Sequence, residues 1–290
     1  MLITLATDIV NLMPLQIANN SSQLKNTALK IRRHVIEMIT QAGSGHPGGS
    51  LGLADIMTSL YFAVLKHRPD QPDWPERDYF LLSNGHVCPV WYATLAEAGY
   101  FQSADLLSLR QFGSALQGHP ERNSIPGVEN TSGLLGQGLS LGCGIAEACR
   151  LDDKNNHIFV QTSDAEHQEG QTWEAYRYAG QRKLCNLTVL IDRNGMQIDG
   201  LTKDIAPLEP LAEKITSFAW QTVEIDGHNF DQINWALNGA RTCHQPTAII
   251  CKTILGKGVS FMENNPDWHG RAPSPAQAQQ ALLELNQNST

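Results

Sequence analysis

The chain has 290 residues, of which 41% are hydrophobic and 17% charged, and a formal net charge of −8. That length can bury a substantial core as one large α/β domain or two small ones, and the composition excludes a disordered chain. The acidic balance argues against a nucleic-acid partner, whose phosphate backbone wants a basic face, and no run approaches the ~18 apolar residues of a membrane span.

Residues 1–23 read as an N-terminal extension. Met1 to Pro14 is mildly apolar but contains Asp8 and no basic segment, so no secretory signal is expected and a cytoplasmic enzyme is the default. From Leu24 the apolar set Leu24, Ala28, Ile31, Val35, Met38 and Ala42 recurs at helical spacing, which predicts an amphipathic helix from about Ser22 to Gly43. A Gly-rich turn, Gly43 to Gly49, follows, and a second helix is expected over about Leu53 to Leu65. Pro69, Pro72 and Pro75 mark a loop, and Tyr79-Phe80-Leu81-Leu82 reads as a buried strand. A helix from about Val87 to Glu97 ends at Gly99, and Gln117 to Gly133 reads as a long loop, a kind of segment that usually has a function. Beyond Gly136, apolar runs at 158–160, 187–191, 223–225 and 248–251 alternate with helical patterns near 170–182, 208–219 and 230–241. Such βαβα alternation predicts an α/β fold, a parallel sheet with helices on both faces. One domain is expected over residues 24–275. The Gln- and Ala-rich tail, 276–290, is a candidate terminal helix.

The six cysteines include no Cys-x-x-Cys pair, so metal and redox readings lack support there. Five read as reduced packing residues, and Cys88, close after His86, is the one to follow.

Ligands of open parallel sheets bind at the carboxyl ends of strands. Asp164 follows one predicted strand, and Asp192 and Asn194 follow the next. Mg²⁺ takes hard oxygen ligands and commonly binds through a carboxylate together with phosphates. Asp164, the amide oxygen of Asn194 and a backbone carbonyl of the Gly195-Met196 turn could supply three positions. The same residues also suit N-capping or turns. Gly133-Leu134-Leu135-Gly136-Gln137-Gly138, opening a helix, is a candidate diphosphate cradle, because helix N-termini present free N–H groups. It is a poor dinucleotide fingerprint: it follows a polar loop, and its third glycine, Gly142, falls one residue late. His46, His86, His119 and His269 lie in loop-like, Gly-bearing contexts suited to proton exchange, whereas His34, His157, His228 and His244 read as structural or solvated.

Several segments in fixed order carry a family resemblance. They are Ser44-Gly45-His46-Pro47-Gly48, Ser83-Asn84-Gly85-His86, Gly118-His119-Pro120-Glu121, Leu135-Gly136-Gln137-Gly138 and Gln168-Glu169-Gly170. Asp192 to Gly200, Gly256 to Glu263 and Trp268-His269-Gly270 complete the series. Together, from about residue 24 to 275, they resemble transketolase, and specifically the N-terminal subunit of the split, two-chain form. The resemblance implies a thiamine-diphosphate-binding fold and transfer of a two-carbon ketol group from a ketose to an aldose, such as sugar phosphates. It implies Mg²⁺ held by Asp164, Asn194 and the carbonyl of Met196. His46, His119 and His269 would surround the donor oxygens and move protons. Around thiamine diphosphate it implies His86, Gly133, Leu135, Asp164, Ala165, Glu169, Asn194 and Met196, with Glu169 also facing a partner. That partner would be a separate C-terminal, pyrimidine-binding subunit, with two copies of each chain, because nothing in this sequence supplies the second domain.

The chain departs from the family where Ser163-Asp164-Ala165 replaces Gly-Asp-Gly, where His167 stands near the metal ligand, and at Leu134. A positive φ at Ala165 would cost on the order of 1 kcal/mol, whereas a negative φ would leave its N–H free for a phosphate. These departures motivate two alternatives: a specialised two-carbon transferase of a secondary pathway, or a degenerate, non-catalytic subunit.

Overall fold

A computed structural model describes residues 21–287. The extension expected over residues 1–23 therefore falls mostly outside the described residues, and Ser21 to Gln23 already form the first turn of helix α1 (Ser21–Ala42).

The strands in chain order are β1 (Tyr79–Leu82), β2 (Ile158–Ser163), β3 (Leu187–Arg193), β4 (Met196–Gln197), β5 (Gly200–Leu201), β6 (Gln221–Asp226) and β7 (Thr247–Lys252). Five of them form a parallel central sheet in the order β1-β2-β3-β7-β6, while β4 and β5 pair as a small antiparallel hairpin. Successive side chains on a strand point to opposite faces, and the core divides accordingly. Phe80, Phe159, Leu190 and Ile249 join one apolar cluster, while Leu81, Ile158, Val160, Val189, Ile191 and Ile250 join the other. The first cluster is completed by α1, α2 (Pro47–Ser59), α3 (Cys88–Glu97), α8 (Phe230–Thr242) and α9 (Pro275–Gln287). The second is completed by α4 (Gln137–Leu151), α5 (Gly170–Arg182) and α7 (Leu211–Thr216). Burial on both faces explains why the strands read as continuous apolar runs. The fold is thus the expected α/β parallel sheet with helices on both sides.

One local expectation needs correction. Helix α2 starts at Pro47, inside the stretch expected to turn, with His46 as its N-cap. Its glycines serve close approach: a Cβ on Gly48 would lie 2.8 Å from the Trp268 carbonyl, and one on Gly52 would lie 2.9 Å from that of Ile254. Glycine's poor helix propensity hid a helix whose position is set by packing. The β4–β5 hairpin, followed by the short helix α6 (Thr202–Ile205), interrupts the region after β3. The expected tail forms most of α9, which buries Ala278, Ala281 and Leu285 on the core. Gln117 to Gly133 carries no helix or strand, as expected. Among the described residues no helix is long and apolar enough to cross a membrane.

Register positions the site. Ser163 pairs with Asp192 across β2 and β3, and Asp192 pairs with Cys251 across β3 and β7. The carboxyl ends of three adjacent strands therefore finish level with one another.

Candidate active site

At those strand ends lies a cavity of about 230 Å³. Four histidines from four separate segments line it: His46 before α2, His86 in the turn after β1, His119 in the long loop, and His269 after the turn Pro266–Trp268. Three of the rings pack edge to edge or stacked, with centroids 5.2 Å apart for His46–His86, 5.7 Å for His46–His269 and 5.2 Å for His86–His269. The His119 ring lies against Gly133, where a Cβ would sit 3.4 Å from it. Burial, and then the neighbouring imidazole and Arg110 charges, lower the His46 pKa to about 4. Burial and the other histidines hold His86 well below the usual value. His119 is lowered by burial and Arg110, and His269 by burial. The rings are therefore neutral near pH 7, each able to accept at one nitrogen and donate at the other. Among the described residues, His46 Nδ1 is buried without a hydrogen-bond partner.

Gly133, Leu135, Ala165, Asn194 and Met196 line the same cavity, together with Ser163 and Asp192. Asp164 is buried between two lining residues. Its carboxylate accepts from the Gly195 N–H at 2.7 Å and from Arg193 at 2.9 Å. The Asn194 amide oxygen accepts from the Met196 N–H at 2.9 Å. Two consecutive N–H groups of one turn thus bind the side-chain oxygens of Asp164 and Asn194. Asn194 also donates to Asp192 at 3.0 Å, and the Thr253 hydroxyl donates to the other Asp192 oxygen. Burial raises the Asp164 pKa to about 6 against the opposing pull of Arg193, and it raises Asp192 to about 7. Among the described residues no group of three or more His, Cys, Asp or Glu is arranged to hold a metal. The expected ligand set contains only one such side chain, Asp164.

Ala165 opens a short 3-10 turn, Ala165–Gln168, and is not among the residues with positive φ. Its methyl therefore carries no left-handed strain. Glu169 is exposed and does not line the cavity; it sits beside Gly136, where a Cβ would lie 2.9 Å from the Glu169 Cβ.

The diphosphate cradle expected at Gly133 to Gly138 is overturned. Gly136 N–H donates to a Glu166 carboxylate oxygen at 2.9 Å, and Gly138 N–H donates to the Ser83 hydroxyl at 2.9 Å. A carboxylate of the chain itself already stands at the helix N-terminus, so those donors are not free for a phosphate.

Sequence reasoning missed two residues. Glu166 is one. Arg110 is the other: it donates to Ser44 Oγ at 2.7 Å and to the Gly118 carbonyl at 3.4 Å, tying together the loops that carry His46 and His119. Its φ of 60° breaks the local pattern, and no sequence signal marked it. His167 is buried and fully engaged, with its ring nitrogens on the Ser163 carbonyl and the Tyr176 hydroxyl, each at 2.9 Å. Burial lowers its pKa to about 4, which makes it a neutral packing group. Cys88 is also structural: it is buried, its thiol points at the Gly118 carbonyl at 3.2 Å, and burial pushes its pKa up to about 12.

The fold is a thiamine-diphosphate-binding fold, as the family match and the solved structures show. The family described as transketolase, thiamine diphosphate binding domain, matches residues 23–286. The 6-deoxy-6-sulfo-D-fructose transketolase subunit of Clostridium sp. (strain MSTE9) is 41% identical over 90% of this chain and 96% of its own length. An apulose-4-phosphate transketolase subunit of Phocaeicola vulgatus is 36% identical over 89% of this chain and 92% of its own length. Among solved structures, transketolase from Campylobacter jejuni superposes with a TM-score of 0.86 at 33% identity, covering 94% of this chain and 43% of that one. The chain belongs to the transketolase family and is a transketolase-type enzyme subunit for ketol transfer.

Proposed function

We propose that this chain is the diphosphate-binding half of a Mg²⁺-dependent transketolase whose catalytic site is completed by a separate pyrimidine-binding subunit, two copies of each. The observation that carries the reading is the pairing of Asp164 and Asn194 on adjacent amides of one turn, beneath a cavity lined by neutral histidines. The donor set fits the cofactor: hard oxygens for a divalent cation, and the unpartnered His46 Nδ1 and Ser163 Oγ beside the same cavity. Asp164, Asn194 and the Met196 carbonyl would hold the ion, with the diphosphate and water completing its shell. His86 and His269 would meet the diphosphate, and the Ala165 N–H would be available to it. Gly133 and Leu135 would pack on the cofactor, and Glu169 would face the partner beside it.

Thiamine diphosphate, when bound, supplies the nucleophilic centre through which the carbon–carbon bond is broken and remade. The chain's own part is to orient the sugar and move protons. His46, His119 and His269, neutral near pH 7, would hydrogen-bond the donor's hydroxyl and carbonyl oxygens, taking and returning protons there. The partner requirement is supported by the relatives named as subunits, which this chain matches over nearly their whole length.

Calorimetry on the chain reconstituted with its partner tests the reading. We expect thiamine diphosphate to bind in the presence of Mg²⁺ and to be lost on chelation; no Mg²⁺-dependent binding would end the proposal. The names of the two subunit relatives favour a second, narrower reading, a specialised donor ketose in place of the common sugar phosphates. A donor and acceptor panel decides it, and efficient turnover of standard sugar phosphates would remove it. Two observations weigh against the degenerate-subunit alternative: Ala165 has no positive φ, and the Asp164 carboxylate is held by the Gly195 N–H.

A further inference from the structure

Glu166 is fully buried, and its carboxylate is engaged on every side by groups from three different segments. One oxygen accepts from the Ser83 hydroxyl and from the Gly136 N–H at 2.9 Å. The other accepts from the Ser163 N–H at 2.9 Å. Ser83 Oγ in turn accepts from the Gly138 N–H, so its own proton is committed to Glu166. One side chain thereby joins the end of β1, the end of β2 and the first turn of α4. Each segment runs directly into the cavity wall: Ser83 toward His86, Ser163 toward Asp164 and Ala165, and Gly136 back to Leu135 and Gly133. Glu166 does not line the cavity, so any influence on the site passes through those residues.

We infer that Glu166 is a positioning residue that fixes the Gly133–Leu135 wall and the Asp164–Ala165 turn relative to each other, setting the cavity for the cofactor in advance. The inference rests on the thiamine-diphosphate reading above. Three donors converge on the group, which suits a carboxylate and no neutral side chain. An amide at this position must aim its own N–H at one of the three, leaving two donors face to face in a dry interior. Its oxygens also lie at the N-terminus of α4, where backbone N–H groups need an acceptor, so the side chain caps α4 from inside the protein. Gly136, with φ of +78° and no room for a Cβ, keeps its N–H aimed at the carboxylate.

The test compares the reconstituted complex with its Glu166→Gln and Ser83→Ala forms. Thiamine diphosphate and Mg²⁺ binding is followed by calorimetry, and hydrogen exchange by mass spectrometry over peptides spanning 133–142. For Glu166→Gln we expect the cofactor Kd to rise about tenfold and exchange at Gly136 and Gly138 to accelerate, with kcat at saturating cofactor within about threefold of the parent. Ser83→Ala, a milder change, moves both readouts in the same direction by less. Cofactor affinity within about twofold of the parent in Glu166→Gln overturns the inference, and so does a loss of kcat at unchanged affinity, which would place Glu166 in the chemistry. A parent complex that binds no thiamine diphosphate overturns the proposed function instead, and unchanged exchange in the two variants would then overturn the clasp by itself.

Discussion

Two buried polar clusters that contain histidine lie near the carboxyl ends of the strands, and they differ in one respect. In the first, Arg32 grips Asp55 with bonds of 2.9 and 2.6 Å and also donates to the Leu51 carbonyl at 3.1 Å. His228, just after β6, pairs with the same carboxylate at 2.8 Å and accepts the Ile254 N–H at 2.9 Å on its other nitrogen. Every group has a partner, and the Arg32 charge together with the hydrogen bonds from His228 and Arg32 holds the Asp55 carboxyl down to about 2 against the cost of burial. The second cluster is the cavity. There three imidazoles meet by ring contact, and among the described residues neither His46 Nδ1 nor Ser163 Oγ has a partner. Buried polar groups are normally satisfied, so unmet hydrogen-bonding capacity beside a cavity is the mark of a ligand site. A histidine count would not separate the two clusters. The open bonds do.

Substitutions in each cluster put this difference to the test. Replacing His46 with alanine should lower kcat of the reconstituted enzyme by about 10²–10⁴, the usual range for a lost acid–base group, while the melting temperature of the chain holds. A large loss of stability with modest loss of rate would make the cavity histidine as structural as His228. Asp55→Ala should do the reverse: stranding a buried arginine costs about 3–5 kcal/mol in denaturant unfolding, and the folded fraction should keep its cofactor affinity. A pH profile separates the clusters further. His46 is held to about 4, so it stays neutral as pH falls from 7 to 5 and is protonated only below that. Its contribution to kcat/KM should therefore be lost near pH 4, and an inflection at the ordinary histidine value of about 6.5 would contradict the buried, crowded environment. Ala165→Gly should have the smallest effect. With no positive φ to relieve, glycine should cost at most about 1 kcal/mol and leave cofactor binding within about twofold of the parent. A gain in affinity would revive the idea that the altered loop is impaired.

Much of the site was legible residue by residue. His46, His86, His119, His269, Gly133, Leu135, Ala165, Asn194 and Met196 all reach one cavity, and Asp164 lies between two of its wall residues. The histidines, Asp164, Asn194 and the Gly195-Met196 turn were marked by local patterns, whereas the places of Gly133, Leu135 and Ala165 came from the family resemblance. Glu169 was equally visible but stands outside the cavity, because it caps α5 and faces solvent. Arg110 and Glu166 were not legible as parts of the site. Arg110 acts on loops 66 and 8 residues away in the chain, and Glu166 on groups 83, 30 and 3 away. Glycine patterning also misled twice, hiding the start of α2 and suggesting an anion cradle at α4.

Apolar periodicity alone determined the order of strands and helices and the covering of the sheet on both faces, because burying those faces leaves few other arrangements. Tertiary structure alone decided which polar groups satisfy one another. The N-terminus of α4 looked free along the chain because its partner, Glu166, arrives from a different strand end, and hydrogen bonds between distant segments leave no local trace in sequence.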